Sequence, residues 1–103
     1  MANTFKNYTS SSVGTSAETV YTVPSATTSV IIGCTVANTT VNTITVDVQL
    51  GSVYIVKGAP IPTGSSLSVN DGSKIIAEAA DTIVVTSNTA SSADVILSVL
   101  EQS

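Results

Sequence analysis

Hydrophobic and polar residues alternate along most of this 103-residue chain. The clearest example is residues 42–50, NTITVDVQL, where apolar side chains take every second position: Ile44, Val46, Val48 and Leu50. Successive side chains of a β-strand point to opposite faces, so the pattern predicts a strand with one buried and one polar face. We expect Ile44, Val46 and Val48 to lie in the core.

Similar runs bounded by Gly, Pro, Asn, Asp and Ser predict seven or eight strands. Their approximate spans are 17–23, 28–38, 42–50, 52–57, 64–69, 73–78, 81–88 and 93–101. Two of them are expected to direct further side chains into the core: Val30, Ile32, Cys34 and Val36, and then Val95, Leu97 and Val99. Many short strands at this spacing predict an all-β fold, a single antiparallel β-sandwich. Its topology, jelly-roll-like or Greek key, remains open.

Glycine and proline predict where the connections lie. Gly51-Ser52 suits a II′ hairpin turn, because glycine accepts positive φ at the first central position. Asp71-Gly72 suits a second tight turn. The segment 58–64 contains Pro60 and Pro62, which cannot donate to a ladder, and is expected at an edge or between sheets.

The amino-terminal residues are rich in Ser and Thr and poor in aliphatic side chains. We therefore expect residues 1–16 to form a flexible N-terminal arm and residues 17–103 to form the sandwich domain. Such an arm spans roughly 50 Å when fully extended, enough to reach an adjacent subunit.

The chain has four large rings, and rings of this kind are enriched at protein interfaces. They are the candidate interface residues: Phe5, Tyr8, Tyr21 and Tyr54. Tyr21 and Tyr54 also suit cross-strand packing.

Charge is sparse, with three lysines, no arginine and seven acidic residues, for a net charge of −4. A chain with so few basic residues lacks the surface that neutralises a phosphate backbone, so we expect no nucleic-acid partner. No apolar run approaches the roughly 20 residues of a membrane span. The first twelve residues lack the basic and apolar regions of a secretion signal, so we expect the protein to be made and kept in a cytosol. Cys34, the single cysteine, suits a small buried hydrophobic position.

Candidate chemistry is limited to carboxylates, because the chain has no histidine to act as a base or metal ligand. A pair of carboxylates can hydrolyse glycosides, but such clefts are lined with aromatic residues that are scarce here. Asn70, Asp71 and Glu78 offer oxygen ligands for calcium, but the dense alternation of acidic residues found in calcium loops is missing, and turn chemistry explains Asn70-Asp71-Gly72 without an ion. We expect no catalytic residues, no metal site, no cofactor and no enzymatic activity.

Three segments carry a resemblance to a known group of proteins: MANTFKNYTSSSVGT, VYTVPSATTSVIIGCTVANTT and DTIVVTSNTASSADVILSVLE. They resemble small virion structural proteins of tailed bacteriophages, particularly those that infect cyanobacteria. The resemblance implies a homo-oligomeric capsid decoration, or cement, subunit that stabilises the phage head, with a trimer as one form. It further implies localisation in the virion, after assembly in the host cytoplasm, and the major capsid protein or other virion proteins as partners.

Two other functions remain open. The same sandwich could belong to the neck, tail or fibre of the virion. A carbohydrate-binding module is a third reading, but such modules stack sugars on exposed aromatic side chains.

Overall fold

The computed structural model describes residues 3–70 and 74–103, and this part of the chain contains β-strands and their connections but no helix. Nine strands lie in this part, and their bounds from β1 to β9 are Asn3–Val13, Glu18–Thr22, Thr28–Asn38, Ile44–Leu50, Val53–Ile61, Ser66–Ser68, Ile75–Ala77, Thr82–Ser87 and Ala93–Gln102. All paired strands run antiparallel. The described residues include no helix that is long and apolar enough to cross a membrane.

The strands form two sheets that enclose a common core. Sheet A has the order β1-β9-β3-β6, with β7 also paired to β3, and sheet B has the order β2-β8-β4-β5. If β6 and β7 are taken as one interrupted strand, the first strand pairs with the last, the second with the second-last, and so on inward to the β4–β5 hairpin. This nested pairing across two sheets is the jelly-roll arrangement. The predicted antiparallel β-sandwich is confirmed, and the jelly roll is the topology it adopts.

The core between the sheets consists mainly of β-branched side chains, which favour strands because they pack well on a pleated surface. Ten large side chains are at most 1% exposed: Val36, Ile44, Val46, Val48, Ile61, Ile83, Val85, Val95, Leu97 and Val99. The inward facing predicted for residues 44–48 of β4 and 95–99 of β9 is therefore confirmed.

One bulge changes which side chains of β3 enter the core. The ladder between β3 and β9 shifts register between Ile31 and Gly33, so one extra residue, Ile32, is accommodated in β3. Ile31 is consequently buried, whereas Ile32 is 39% exposed and Val30 is half-buried. The prediction that Val30 and Ile32 face the core with Cys34 is wrong, because simple alternation assumes an unbroken ladder.

The turns and edges agree with their predicted positions where the structure describes them. Gly51 has a φ of 61° between the paired residues Leu50 and Val53. Strand β5, which contains Pro60, forms an edge of sheet B. The Asp71-Gly72 turn lies outside the described residues.

The amino-terminal segment is placed differently from the flexible arm predicted for residues 1–16. Asn3–Val13 forms β1 and pairs along β9 as an edge strand of sheet A. Its polar composition does not prevent this, because an edge strand is held chiefly by backbone hydrogen bonds to its neighbour. The sandwich therefore includes residues from before position 17.

The bulge provides a test with two adjacent residues of the same type. Ile31→Ala should lower the free energy of unfolding by about 2–5 kcal/mol, because it leaves a cavity in the core. Ile32→Ala, the matched control, should lower it by about 1 kcal/mol or less. Urea unfolding followed by circular dichroism measures both values, and a larger loss for the Ile32 variant would contradict the bulge.

Candidate functional site

The four aromatic residues predicted to form an interface lie in two different environments. Phe5 and Tyr54 are 74% and 45% exposed, on sheets A and B respectively. Tyr21 is buried, because it occupies an inward position opposite Ile83. Tyr8 is half-buried, and the centroids of the Tyr8 and Tyr21 rings are 4.4 Å apart. Tyr8 and Tyr21 therefore contact each other within this chain, and an interface role for any of the four residues stays a prediction.

A buried carboxylate lies beside these two tyrosines. Glu101 of β9 accepts hydrogen bonds on Oε2 from the hydroxyls of Tyr8, at 2.8 Å, and Tyr21, at 2.6 Å. Because the Tyr21 proton goes to Glu101, the Ser29 hydroxyl is left to donate to the Tyr21 oxygen. The Nζ atom of Lys6 lies 3.7 Å from Glu101 Oε1. We call these five residues the Glu101 cluster; it joins β1, β2, β3 and β9.

The hydrogen bonds of the cluster change the acidity of its members. The Tyr21 hydroxyl, followed by the Tyr8 hydroxyl and the charge of Lys6, lowers the pKa of Glu101 against the opposing effect of burial. Burial and the hydrogen bond to Glu101 raise the pKa of Tyr21 to about 12 and also raise the pKa of Tyr8. The folded chain therefore favours an ionised Glu101 between two neutral tyrosines, which is a stable bonding arrangement and not an acid–base pair.

Sequence reasoning treated Glu101 as one carboxylate among seven and missed its burial. The signal was present, since Glu101 continues the inward series Val95, Leu97 and Val99 of the last strand. A charged residue at an inward position needs partners. The tyrosines that supply them come from distant parts of the chain, which alternation alone does not reveal.

Other carboxylates hold loops and strand ends in place. Asp47 accepts from the Gly58 amide at 2.7 Å, Asp81 from the Glu78 amide at 2.9 Å, and Asp94 from the Ser12 amide at 3.0 Å. Within residues 3–70 and 74–103, no three His, Cys, Asp or Glu side chains are grouped so that they could hold a metal ion. Cys34 is buried, and burial raises the pKa of its thiol to about 11.

The outer face of sheet A carries a row of apolar side chains. Phe5 lies opposite Leu100, Leu100 opposite Val30, and Val30 opposite Ile76, so the row crosses β1, β9, β3 and β7. We call these four residues the outer row. Phe5 and Ile76 are 74% and 54% exposed, and Val30 and Leu100 are half-buried. Exposed apolar side chains that form a continuous patch mark sites of interaction more often than isolated ones do.

Beside the outer row is a recess of about 210 Å³ with Phe5, Ile32 and Ser98 among its lining residues. Gly33 lies opposite Ser98, and a Cβ atom there would meet nothing within 4 Å. Ile96, two residues from Ser98 along β9, is 53% exposed on the same face. Among the outward positions of the described strands of sheet A, Asp94 is the one charged residue. The outward strand positions of this face therefore carry little charge in a chain of net charge −4, and the apolar row lies among uncharged polar residues such as Asn7, Thr35 and Ser98.

The outer face of sheet B is different. The half-buried outward residues that β4 contributes to it include Thr45, Asp47 and Gln49, and Gln49 lies opposite Tyr54. Phe5 and Tyr54 thus lie on different sheets, where they cannot stack on one sugar ring together.

Comparisons with protein-family models and with curated proteins find no match. Among solved structures, the chain is similar to one from Bacillus endospore appendages, described as a novel family of disulfide-linked pili. The TM-score is 0.54 at 14% sequence identity, over 99% of this chain and 87% of that one. At this identity the similarity establishes the fold alone, a small all-β structure.

Glu101→Gln should destabilise the chain at neutral pH by about 1–3 kcal/mol, because the tyrosine hydroxyls lose a charged acceptor. The lowered pKa of Glu101 means that its stabilising effect is present above the ordinary glutamate pKa of about 4.3 and is lost as pH falls through the folded value. The difference between native and variant chains should therefore shrink below about pH 4. Urea unfolding over that range tests this, and a difference that stays constant would contradict it.

Tyr21→Phe should flatten the alkaline limb of the stability profile. With a folded pKa of about 12 and an unfolded pKa of about 10, Tyr21 contributes stability that is present below about pH 10 and is lost as pH rises toward 12. A shift of about two units corresponds to about 3 kcal/mol at most. Denaturation between these pH values should show a steeper loss for the native chain than for the variant, and parallel losses would refute the assignment.

Proposed function

We propose that the protein is a non-enzymatic structural subunit that self-associates through the outer face of sheet A. The outer row is the observation that supports this proposal most directly, because Phe5 and Ile76 are large apolar side chains left open to water at the two ends of a continuous stripe. The carboxylates that the structure describes in hydrogen bonds serve the fold, which supports a non-enzymatic role.

A second copy of this chain is the partner that the charge distribution favours. Chains of net charge −4 repel one another, and the repulsion is least where their acidic residues are farthest from the contact. Asp94 is the one charge at the outward positions of the described strands of sheet A, and it is already hydrogen-bonded to the Ser12 amide. Two such faces can therefore meet while bringing few charges together.

The estimated free energy of this contact favours an assembly in which each chain has several neighbours. Covering the exposed parts of Phe5, Ile32, Ile76 and Ile96 contributes on the order of 1–2 kcal/mol each, or about 4–8 kcal/mol in all. Association costs about 4–15 kcal/mol in lost freedom of motion. One contact of this kind is weak, so a stable assembly requires each chain to hold more than one neighbour.

Our finer proposal is a capsid decoration, or cement, subunit of a tailed bacteriophage. It is supported by the sequence resemblance to virion structural proteins, and it implies localisation in the virion and contact with the major capsid protein. A shell also meets the requirement for several neighbours around each chain.

A subunit of an extended appendage is the second candidate, whether a virion neck, tail or fibre or another filament. It is supported by the similarity of the fold to a chain of Bacillus endospore appendages. Immunogold electron microscopy separates the two candidates: labelling spread over the head supports decoration, and labelling confined to a tail or filament contradicts it.

Ile76→Lys combined with Ile96→Lys should reduce self-association at least tenfold, because each copy then brings two charges into the contact. Val41→Lys is the matched control, since Val41 is 86% exposed but lies in the connection between β3 and β4. Sedimentation velocity over a range of concentrations measures the association. The proposal fails if the native chain remains monomeric throughout, or if both variants associate as the native chain does.

A further inference from the structure

We propose that β1 is exchanged between copies, so that residues 3–10 of one chain lie along β9 of a second copy. This inference rests on the proposed self-association and identifies the strand that carries it. The arm predicted from the sequence and the strand seen in the structure are then two positions of the same segment.

The first reason is that β1 has little buried side-chain surface holding it to its own chain. Of its eleven residues only Val13 is buried, and only Tyr8 and Ser10 are half-buried. Its attachment consists mainly of the backbone ladder to β9, which covers Asn3 to Ser10 without interruption, and of the Glu101 cluster. A second copy of β1 reproduces every one of these contacts, so exchange changes their partners and not their number.

The second reason is the specificity of β9 for this strand. Along β9, Glu101 receives the Tyr8 hydroxyl and lies 3.7 Å from the Lys6 ammonium, and the Ser98 hydroxyl donates to Asn7 Oδ1 at 2.7 Å. A buried carboxylate that loses its donors is unfavourable. The occupant that restores both the charge and the hydrogen bonds is another β1, which makes a second copy of this chain the partner.

The third reason is a hinge at the end of the loosely held segment. The register of β1 on β9 shifts between Ser10 and Val13, and Ser12 has a φ of 57°, a left-handed conformation that is unfavourable for a side chain other than glycine. Beyond it the chain is fixed, because the Val13 carbonyl accepts from the Ser92 amide and the Gly14 carbonyl from the Ser87 amide, both at 2.9 Å. Because the strained hinge at Ser12 lies directly before residues that are held in place, β1 can leave its own chain and pair with another while the rest of the domain stays folded.

Disulfide trapping tests the exchange through a pair that faces outward. Asn7 and Ser98 are directly opposite in the β1–β9 ladder. A chain carrying Asn7→Cys and a second chain carrying Ser98→Cys are mixed under reducing conditions, allowed to assemble, oxidised, and separated on a denaturing gel without reductant. We expect a covalent heterodimer as the main product, since exchange of β1 places the two cysteines directly opposite each other in the ladder.

Two controls define the background of this experiment. Asn7 and Ser98 both lie on the outer face, which two copies could also bring together without exchange. Asn7→Cys mixed with Thr35→Cys, an outward residue of the same face that does not lie opposite Asn7, measures such coupling and should give at least tenfold less heterodimer. The double variant Thr35→Cys and Ile96→Cys links β3 to β9, which are opposite each other within one chain, and should remain monomeric on the gel.

The outcomes distinguish this inference from the proposed function. If the native chain associates in sedimentation while the Asn7 and Ser98 cysteines couple no better than background, exchange of β1 is refuted and self-association through the outer face stands. If the native chain is monomeric and the cysteines do not couple, both are refuted. Efficient coupling supports the exchange.

Discussion

The central position of β9 in sheet A is the constraint on which the rest of the structure depends. Flanked by β1 and β3, it presents Val95, Leu97 and Val99 to the core and Ile96 and Leu100 to the outside. Because side chains alternate strictly across a strand, a shift of one residue would exchange these two sets and bury Ser98 while exposing Val99. The same register places Glu101 beside Tyr21 and supplies the middle of the outer row.

The hydrogen bonds of Glu101 also depend on that register. A carboxylate at an inward position is tolerated only where hydroxyl donors meet it, and Tyr8 and Tyr21 meet it from two different strands. The cluster thus joins the amino-terminal strand, the second strand and the carboxyl-terminal strand through one group. It also makes the attachment of β1 dependent on specific contacts more than on burial, which is why the strand can be ordered and yet exchangeable.

Sequence reasoning recovered the elements that alternation encodes and missed those that depend on partners. The eight predicted strands and the inward facing of β4 and β9 follow from local pattern, and the structure contains them. The bulge at Ile32 was missed because it depends on how β3 pairs with β9. Strand β1 was not predicted because its mostly polar side chains show no apolar alternation. It is held instead by a ladder to residues of β9 that lie some ninety positions away in the sequence. Phe5 and Tyr54 could be singled out as exposed rings, but the outer row arises only when four distant strands meet.

The proposed function depends on the outer surfaces of the two sheets. The outer face of sheet A carries the outer row and little charge at its strand positions, and its long edge strand β1 directs few side chains into the core. The most direct test of the central claim is a cryo-electron microscopy reconstruction of the assembled native chain. We expect Phe5, Val30, Ile76 and Leu100 to be covered by a neighbouring copy. An assembly in which those four side chains remain open to solvent, with contacts formed elsewhere, would contradict it.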